Sequence, residues 1–454
     1  MKNPILVHLL FLANGIFVLG CFTTPLFAQD VEKIENLLHV IDSQQRLNED
    51  QQRQIEDQQK QLNTQRQLLL DFQRQLESLV KDGEKKDIPV AAEKPAAQPV
   101  VAASKVPPPV ENVITSGGGE RAKLSLSGFV NRMVMVADDG QDTDAYYVDN
   151  DNAESRINLV GTVSTTNDLT IGSRIELTIA PNKSGVVNQE NQADNNDVFD
   201  QRWAEVSLDS KRFGKLSLGK GDTASMNTAA SDLSGTVVIA YATITDTAGG
   251  LLFRQKDTGI LTDVSIFNAF ANFDGLNRRN RVRYDSPAFY GFRLGTTAIS
   301  DDRYDGAVRW GGQGYGFKAV ASAAIANTNQ VDADYQYDGS LSILHEDTGL
   351  NLTLSGGTLE RDFQRDPYSI YAKAGWLHRF FSYGVTAFAV DYTQTMYLPT
   401  DGDEGYSIGA AVVQPFDEFG TEIYALYRYH TLDRDDEPEV EDINIVTVGA
   451  RVKF

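Results

Sequence analysis

From residue 123 to the C-terminus, apolar and polar positions alternate with a period of two. Leu169, Ile171, Ser173, Ile175, Leu177 and Ile179 share one face of a segment whose other face carries Thr170, Gly172, Arg174, Glu176 and Thr178. Leu350, Leu352 and Leu354 repeat the device, and so do Val446, Val448, Ala450, Val452 and Phe454 at the end of the chain. Successive side chains of a strand point to opposite faces, so each such segment predicts a β-strand with one apolar face. About 16 of them fit between 123 and 454, an even count of the kind that closed barrels need. Alternate connections are tight: Thr165 to Asp168, Ser210 to Phe213, Ser286 to Tyr290, Gly311 to Tyr315, His345 to Gly349, Arg379 to Gly384 and Pro415 to Gly420. The intervening ones, such as 138–153, 181–200, 222–277 and the acidic 433–441, are longer and more polar. Short turns at one end and long loops at the other predict an all-β transmembrane barrel of antiparallel strands. Closure satisfies every backbone group in lipid, which an open sheet does not. A water-soluble β-sandwich or β-helix shares the alternation. Aromatic placement favours the membrane. Phe289, Tyr290 and Phe292, then Phe380, Phe381 and Tyr383, then Phe416 and Phe419, then Tyr424, Tyr427 and Tyr429 gather near the expected strand ends, where rings at headgroup level form girdles.

A different period precedes the barrel. Steps of seven from Ile34 give Ile41, Asn48, Ile55, Leu62, Leu69 and Leu76, a heptad seam that predicts an α-helical coiled coil over 29–81. Its second seam carries Gln45, Gln52, Gln59 and Gln73, which can hydrogen-bond to their copies in a parallel homo-oligomer. A single polar helix or a disordered Gln-rich tract is the alternative. Residues 82–121 are rich in Pro, Ala and Gly, including Pro107-Pro108-Pro109 and Gly117-Gly118-Gly119, and predict an extended linker without a core. Residues 1–28 have Lys2, an apolar run from Ile5 to Leu19 and a small-residue end at Ala28, the pattern of an export signal. Val18-Leu19-Gly20-Cys21 leaves lipoprotein processing at Cys21 as a second reading. The expected order is signal peptide (1–28), periplasmic coiled coil (29–81), linker (82–121) and barrel (122–454).

Composition removes several function classes. The 454 residues carry a formal net charge of −22, which opposes nucleic-acid binding because phosphate neutralisation needs clustered Lys and Arg. Mean hydropathy is −0.32, an average that a barrel shares with soluble proteins because only alternate residues meet lipid. No later run approaches the ~20 apolar residues of a membrane helix. With Cys21 inside the signal, the exported chain has no thiol, hence no disulfide and no cysteine-based metal site or nucleophile. His345, His378 and His430 are isolated, and no Gly-x-Ser-x-Gly, His-Glu-x-x-His or phosphate loop occurs. The expectation is a non-enzyme without metal or cofactor.

The residues of 123–454 resemble the Gram-negative general porins. Leu126-Ser127-Gly128-Phe129-Val130-Asn131-Arg132 is similar to their first strand, and Arg202 to Leu208 followed by Phe213 to Lys220 to the strand–turn–strand before their third loop. Arg281 to Pro287 resembles the strand after that loop, and Val448 to Phe454 resembles the terminal signal, ending in Phe454, that the barrel assembly machinery reads. The resemblance implies a trimeric, 16-stranded outer-membrane diffusion channel for small hydrophilic solutes. The exported coiled coil ahead of it is similar in arrangement to the DcaP-like porins. In the family the third loop, here 222–277, folds inward and narrows the pore.

Charge placement suggests how such a pore would filter. The loop carries Asp222, Asp232 and Asp246 and no Lys or Arg before Arg254. Arg279, Arg281 and Arg283 fall on one face of the following strand, and Arg156, Arg174 and Glu176 on the polar faces of theirs. An arginine facing lipid at the midplane costs about 2–4 kcal/mol, so these are expected to line the lumen. Arg opposite Asp would set up a transverse field with weak anion preference; salt bridges that merely hold the loop are the alternative. Asp435, Asp436, Glu437, Glu439, Glu441 and Asp442 predict a solvated or cation-bridged rim. A competing reading makes the barrel an anchor or adhesin, tied to peptidoglycan through the coiled coil.

Overall fold

The computed structural model describes residues 112–114 and 122–454, apart from 166–167, 195–197, 301, 331–332 and 436. The expected signal peptide, the coiled-coil seam from Ile34 to Leu76 and most of the linker lie outside the described residues. Sixteen barrel strands follow one another: β1 (Ala122–Asp138), β2 (Thr143–Asp149, continuing as Arg156–Ser164), β3 (Leu169–Ile179), β4 (Phe199–Ser210), β5 (Gly214–Asp222), β6 (Arg278–Asp285), β7 (Phe292–Ile299), β8 (Tyr304–Gly314), β9 (Phe317–Gln330), β10 (Ala333–His345), β11 (Leu350–Arg361), β12 (Tyr368–Phe381), β13 (Gly384–Met396), β14 (Glu404–Phe416), β15 (Thr421–Asp433) and β16 (Ile443–Lys453). Each pairs antiparallel with its neighbours, and β16 returns to β1 from Phe129↔Lys453 to Asp138↔Asn444, closing the barrel. Beyond the end of β16, Asn112–Ile114 pairs with Leu124 to Leu126 of β1. This part of the expected linker is therefore a strand, and it covers backbone groups of β1 that would otherwise form an open edge.

Alternation decides which side meets lipid, and the order is the reverse of a water-soluble protein. Val130, Ile175, Leu218, Leu294, Leu352, Val390, Ile408 and Val448 are exposed on the outer wall. Glu176, Glu205, Arg281, Lys373, Asp391 and Arg428 are buried on the inner one. An apolar exterior around a charged interior is stable only where hydrocarbon replaces water outside. Aromatic rings mark the short-turn end: Phe289 and Tyr290 stack edge to face at 4.5 Å, and Phe381, Tyr383 and Phe416 form a stacked row. Tyr424 departs from the expected girdle. It points inward and is buried, its hydroxyl donating to Asn131 Oδ1 at 2.5 Å.

The long loops are fewer than the sequence suggests. The stretch 138–153 is not a loop but a hairpin, with Thr143–Asp149 paired to β1. Asp139 Oδ1 accepts from the backbone of Gln141 and Asp142 at 3.2 and 2.9 Å and fixes the turn, a local bond that Asp makes readily. β2 then breaks at a single 3-10 turn, Asp151–Ala153, capped by Asn150. The β7–β8 connection spans only 300–303. Extended connections remain at 180–198, 223–277 and 434–442.

The apolar core lies between the wall and the 223–277 loop. Val238, Ile239, Ile244, Leu251, Phe253, Ile266 and Phe270 of the loop pack with Met133, Met135, Tyr146, Leu426, Leu432, Ile443 and Ile445 of the wall. Those wall residues occupy lumen-facing positions, so β1 and β16 are apolar on both faces where the loop leans on them. Replacing outward Leu354 with arginine is expected to destabilise folding into bilayers by about 2–4 kcal/mol. Denaturant titration in lipid vesicles checks this; a change below 1 kcal/mol, on the order of RT, would contradict the lipid-facing assignment.

Candidate functional site

The loop after β5 runs inside the barrel and is fastened to successive strands. Ala224 N donates to Thr297 Oγ1 of β7 at 2.7 Å, and Ser225 donates to Asp305 of β8 through N and Oγ at 3.0 and 2.5 Å. Thr228 bonds Asp338 of β10, and Leu233 N reaches Ser342 of the same strand at 3.0 Å. On β12, Lys373 is fully buried, pairs with Asp232 and donates to Ala240 O at 2.8 Å. Asn150 Nδ2 donates to Val238 O at 2.9 Å. Phe270 lies over His430 of β15, with ring centroids 5.1 Å apart. Serine, threonine and alanine dominate 223–250, and their short side chains let this backbone approach the wall closely enough for direct bonds.

Besides touching Tyr146 and Asn150 at β2, the loop faces a basic stretch of wall on β2 to β4. Glu176, buried at 2% exposure, accepts from Arg156 at 3.3 Å, from Arg202 Nε at 2.9 Å and from Arg174. Glu154 pairs with Arg202 and with Lys183, the latter at 2.7 Å. Four cations thus share two carboxylates. Arg174 also stacks on the Trp203 ring, 4.0 Å from its centroid. Arg202 reaches the lumen through a β-bulge. Trp203 pairs with Glu176 while Gln201 pairs with Leu177, so Arg202 is the extra residue and points inward beside Trp203.

The Arg279, Arg281 and Arg283 face divides by role. Arg281 is buried, salt-bridges Glu205 at 2.6 Å and donates to Asp222 O at 3.0 Å. Arg283 grips Asp285 with two bonds of 2.8 and 2.9 Å and donates to Thr223 O at 2.7 Å. Arg279 Nε donates to Leu276 O at 3.1 Å. These three hold the stems of the loop, and the basic cluster is built instead from Arg156, Arg174, Arg202 and Lys183. The loop acids also separate. Asp222 pairs with Arg278 at 3.0 Å, and Asp232 is the latch to Lys373. Asp246 lies against the basic wall, near Arg202 and Glu154. It takes the Tyr241 hydroxyl, and Ser184 Oγ donates to its carbonyl at 2.6 Å. Burial pushes its carboxyl up to about 7, opposed by the Tyr241 bond and reinforced by the charge of Glu154.

Arg202 and Lys373 escape a reading by alternation for different reasons. The bulge that turns Arg202 inward has no sequence signature. Lys373, between Ala372 and Ala374 on the inward parity of β12, carried a usable signal: a charge flanked by small residues in the middle of the strand. The 434–442 connection ties to the adjacent 397–403 connection, as in Arg434 with Asp403 at 3.3 Å, and to the 223–277 loop, where Lys256 N donates to Glu439 O at 3.0 Å and Glu441 N to Arg254 O at 2.7 Å. Among the described residues no cluster of His, Cys, Asp and Glu could hold a metal.

A closed transmembrane barrel with an apolar exterior, a charged lumen and an inward loop defines a β-barrel channel. Residues 90–451 match the Gram-negative porin family, and the chain belongs to it. It is an outer-membrane channel for passive diffusion. An anion-selective porin from Comamonas acidovorans is similar in fold, with a TM-score of 0.52 and 17% identity over 73% of this chain and 100% of that one. OmpT of Vibrio cholerae matches with a TM-score of 0.49 and 12% identity over 76% of this chain and 100% of its own. The outer-membrane channel DcaP of Acinetobacter baumannii matches with a TM-score of 0.47 and 10% identity over 74% of this chain and 99% of that one. No curated protein matches the sequence.

Asp232→Asn leaves Lys373 buried without a counter-charge, and breaking such a pair costs about 3–5 kcal/mol. The single variant is expected to unfold at lower denaturant in detergent, and Asp232→Asn with Lys373→Met to recover most of the loss. Equal midpoints for the wild type and the single variant would remove the latch role.

Proposed function

We propose that the channel is narrowed where the 223–277 loop faces β2 to β4, and that it favours small anionic and zwitterionic solutes. The observation that carries this is the gathering of Arg156, Arg174, Arg202 and Lys183 around Glu154 and Glu176, beside Asp151, whose carboxyl is pushed well up by burial and by the charges of Asp246 and Glu154. A solute passing between this wall and Asp246 crosses a transverse field, and its carboxylate is drawn to the arginines. Arg156, Arg174 and Arg202 carry the preference, Glu154 and Glu176 hold their guanidinium planes, and Asp246 supplies the opposing charge. The barrel acts as a homotrimer assembled through the outer-membrane machinery that reads Phe454. The 29–81 coiled coil and its linker stand in the periplasm, where the helices bundle the protomers and lie within reach of peptidoglycan.

Single-channel recording in planar bilayers tests the reading. Conductance steps in threes and a reversal potential of anion sign in a salt gradient are expected; cation preference would overturn it. Removing 29–121 is expected to leave the conductance intact, whereas its loss would make the barrel an anchor rather than a diffusion channel.

Asp246 and Asp151 make the selectivity depend on pH. Burial and their mutual repulsion push both carboxyls up, so the pair takes up a proton as the pH falls, negative charge leaves the constriction, and anion preference rises. Asp246→Asn should weaken the pH response, and Asp246→Asn with Asp151→Asn should abolish it. A pH response that survives in the double variant would assign the effect elsewhere.

A further inference from the structure

Below the basic wall, towards the short turns, lies a second lumen feature. A cavity of about 530 Å3 opens between β4 and β7, lined by Trp203, Glu205, Asp209, Lys215, Arg283 and Arg293 among others, with Ser286-Pro287-Ala288 at its floor. Its volume falls within the range of small-molecule sites, about 300–1,000 Å3. Most of its charges are already satisfied. Glu205 pairs with Arg281 at 2.6 Å and with Lys215 at 3.6 Å, Asp285 with Arg283 at 2.8 Å, and Asp222 with Arg278 at 3.0 Å. Among the described residues Asp209 and Lys211 form no ion pair, but they lie two residues apart at the β4 turn, so their charges offset one another.

Arg293 is different. It is exposed on the lumen face of β7 and, among the described residues, makes no hydrogen bond or ion pair. Its register neighbour on β8 is Arg309, which turns away and donates to Met226 O of the loop at 2.7 Å. Asp222, Asp274 and Asp285 lie near Arg309 and offset its charge, which leaves the Arg293 guanidinium as the unengaged fork at one end of the cavity. Arginine offers a planar fork that carboxylates accept bidentately, which a lysine cannot match.

We propose that this cavity is an exit subsite for small organic carboxylates, with the Arg293 guanidinium as its anchoring group. It rests on the reading of the barrel as a diffusion channel and lies apart from the Arg156–Arg202 cluster. A solute leaving the constriction is received by Arg293 before it enters the periplasm. The same carboxylate, added from the periplasmic side, reaches the subsite first and obstructs the pore.

The test uses the full-length channel inserted in one orientation, with citrate added separately to each side while potassium chloride carries the current. Block from the short-turn side is expected at lower citrate than block from the loop side. Arg293→Gln should raise the half-blocking concentration on the short-turn side about tenfold, the loss expected for a charge-assisted bidentate contact. Arg293→Lys, which keeps the charge without the fork, should lie between the two. Equal block from both sides, or block unaltered by both Arg293 substitutions, would overturn the subsite. Those outcomes leave the channel reading standing, which fails only if no variant and no wild-type preparation passes current.

Discussion

The need to satisfy every backbone amide and carbonyl within lipid governs this structure. A strand at an open edge would expose a row of unpaired groups to hydrocarbon, where no water replaces the missing bonds. The pairing of β16 with β1 removes that edge, and the short 112–114 strand extends the cover where β16 ends. Once the sheet is closed, the pleat does the sorting. Odd and even positions are committed to lipid or lumen around the whole wall, and a one-residue slip in any strand would place charges outside.

The lumen then has its own problem, because a ring of inward polar residues is not rigid by itself. The 223–277 loop solves it by acting as an internal layer. On one side it packs apolar residues against Met133, Met135, Ile443 and Ile445; along β7 to β12 it bonds to Asp305, Asp338, Ser342 and Lys373. Buried ion pairs such as Lys373–Asp232 and Arg428–Asp391 add little net stability over apolar packing. Their value here is positional, since a buried cation accepts few partners and so fixes where the loop lies. Structural arginines and filtering arginines are distinguished by burial. Arg281, with its side chain 1% exposed, holds Glu205 and the loop stem, whereas Arg174, 32% exposed, remains available to solutes.

Most of the barrel was legible because alternation is a direct consequence of the pleat, and the sixteen strands fall where the period-two pattern places them. What alternation misreads are departures from the pleat. In 138–153, polar residues typical of a loop flank a paired segment, Thr143–Asp149, that alternates buried Tyr146 and Val148 with exposed Tyr147. Tyr424 looked like a girdle residue from its company with Tyr427 and Tyr429, yet its parity turns it inward to Asn131 and Asn150. The site was less legible still. The face shared by Arg279, Arg281 and Arg283 follows from spacing, but which of them meets solvent depends on Glu205, Asp285 and two loop carbonyls contributed by distant segments.

The bulge in β4 shows how one extra residue can set the chemistry of a pore. Without it, Arg202 would face lipid opposite Trp203, at a cost of about 2–4 kcal/mol near the midplane. With it, two consecutive side chains enter the lumen, and the wall gains a guanidinium between Glu154 and Glu176 at the level of the loop acid. The neighbouring strand accommodates the crowding by giving up side chains. A Cβ on Gly221 would stand 2.8 Å from the Trp203 ring and 2.7 Å from Arg281, so only glycine lets the ring and the guanidinium close over that backbone. Ring, bulge and glycine together place the positive charge of the wall, and the acidic composition of the chain as a whole says nothing about it. Net charge describes the surface, whereas the ions in transit respond to the few groups that the pleat and the bulge in β4 turn inward.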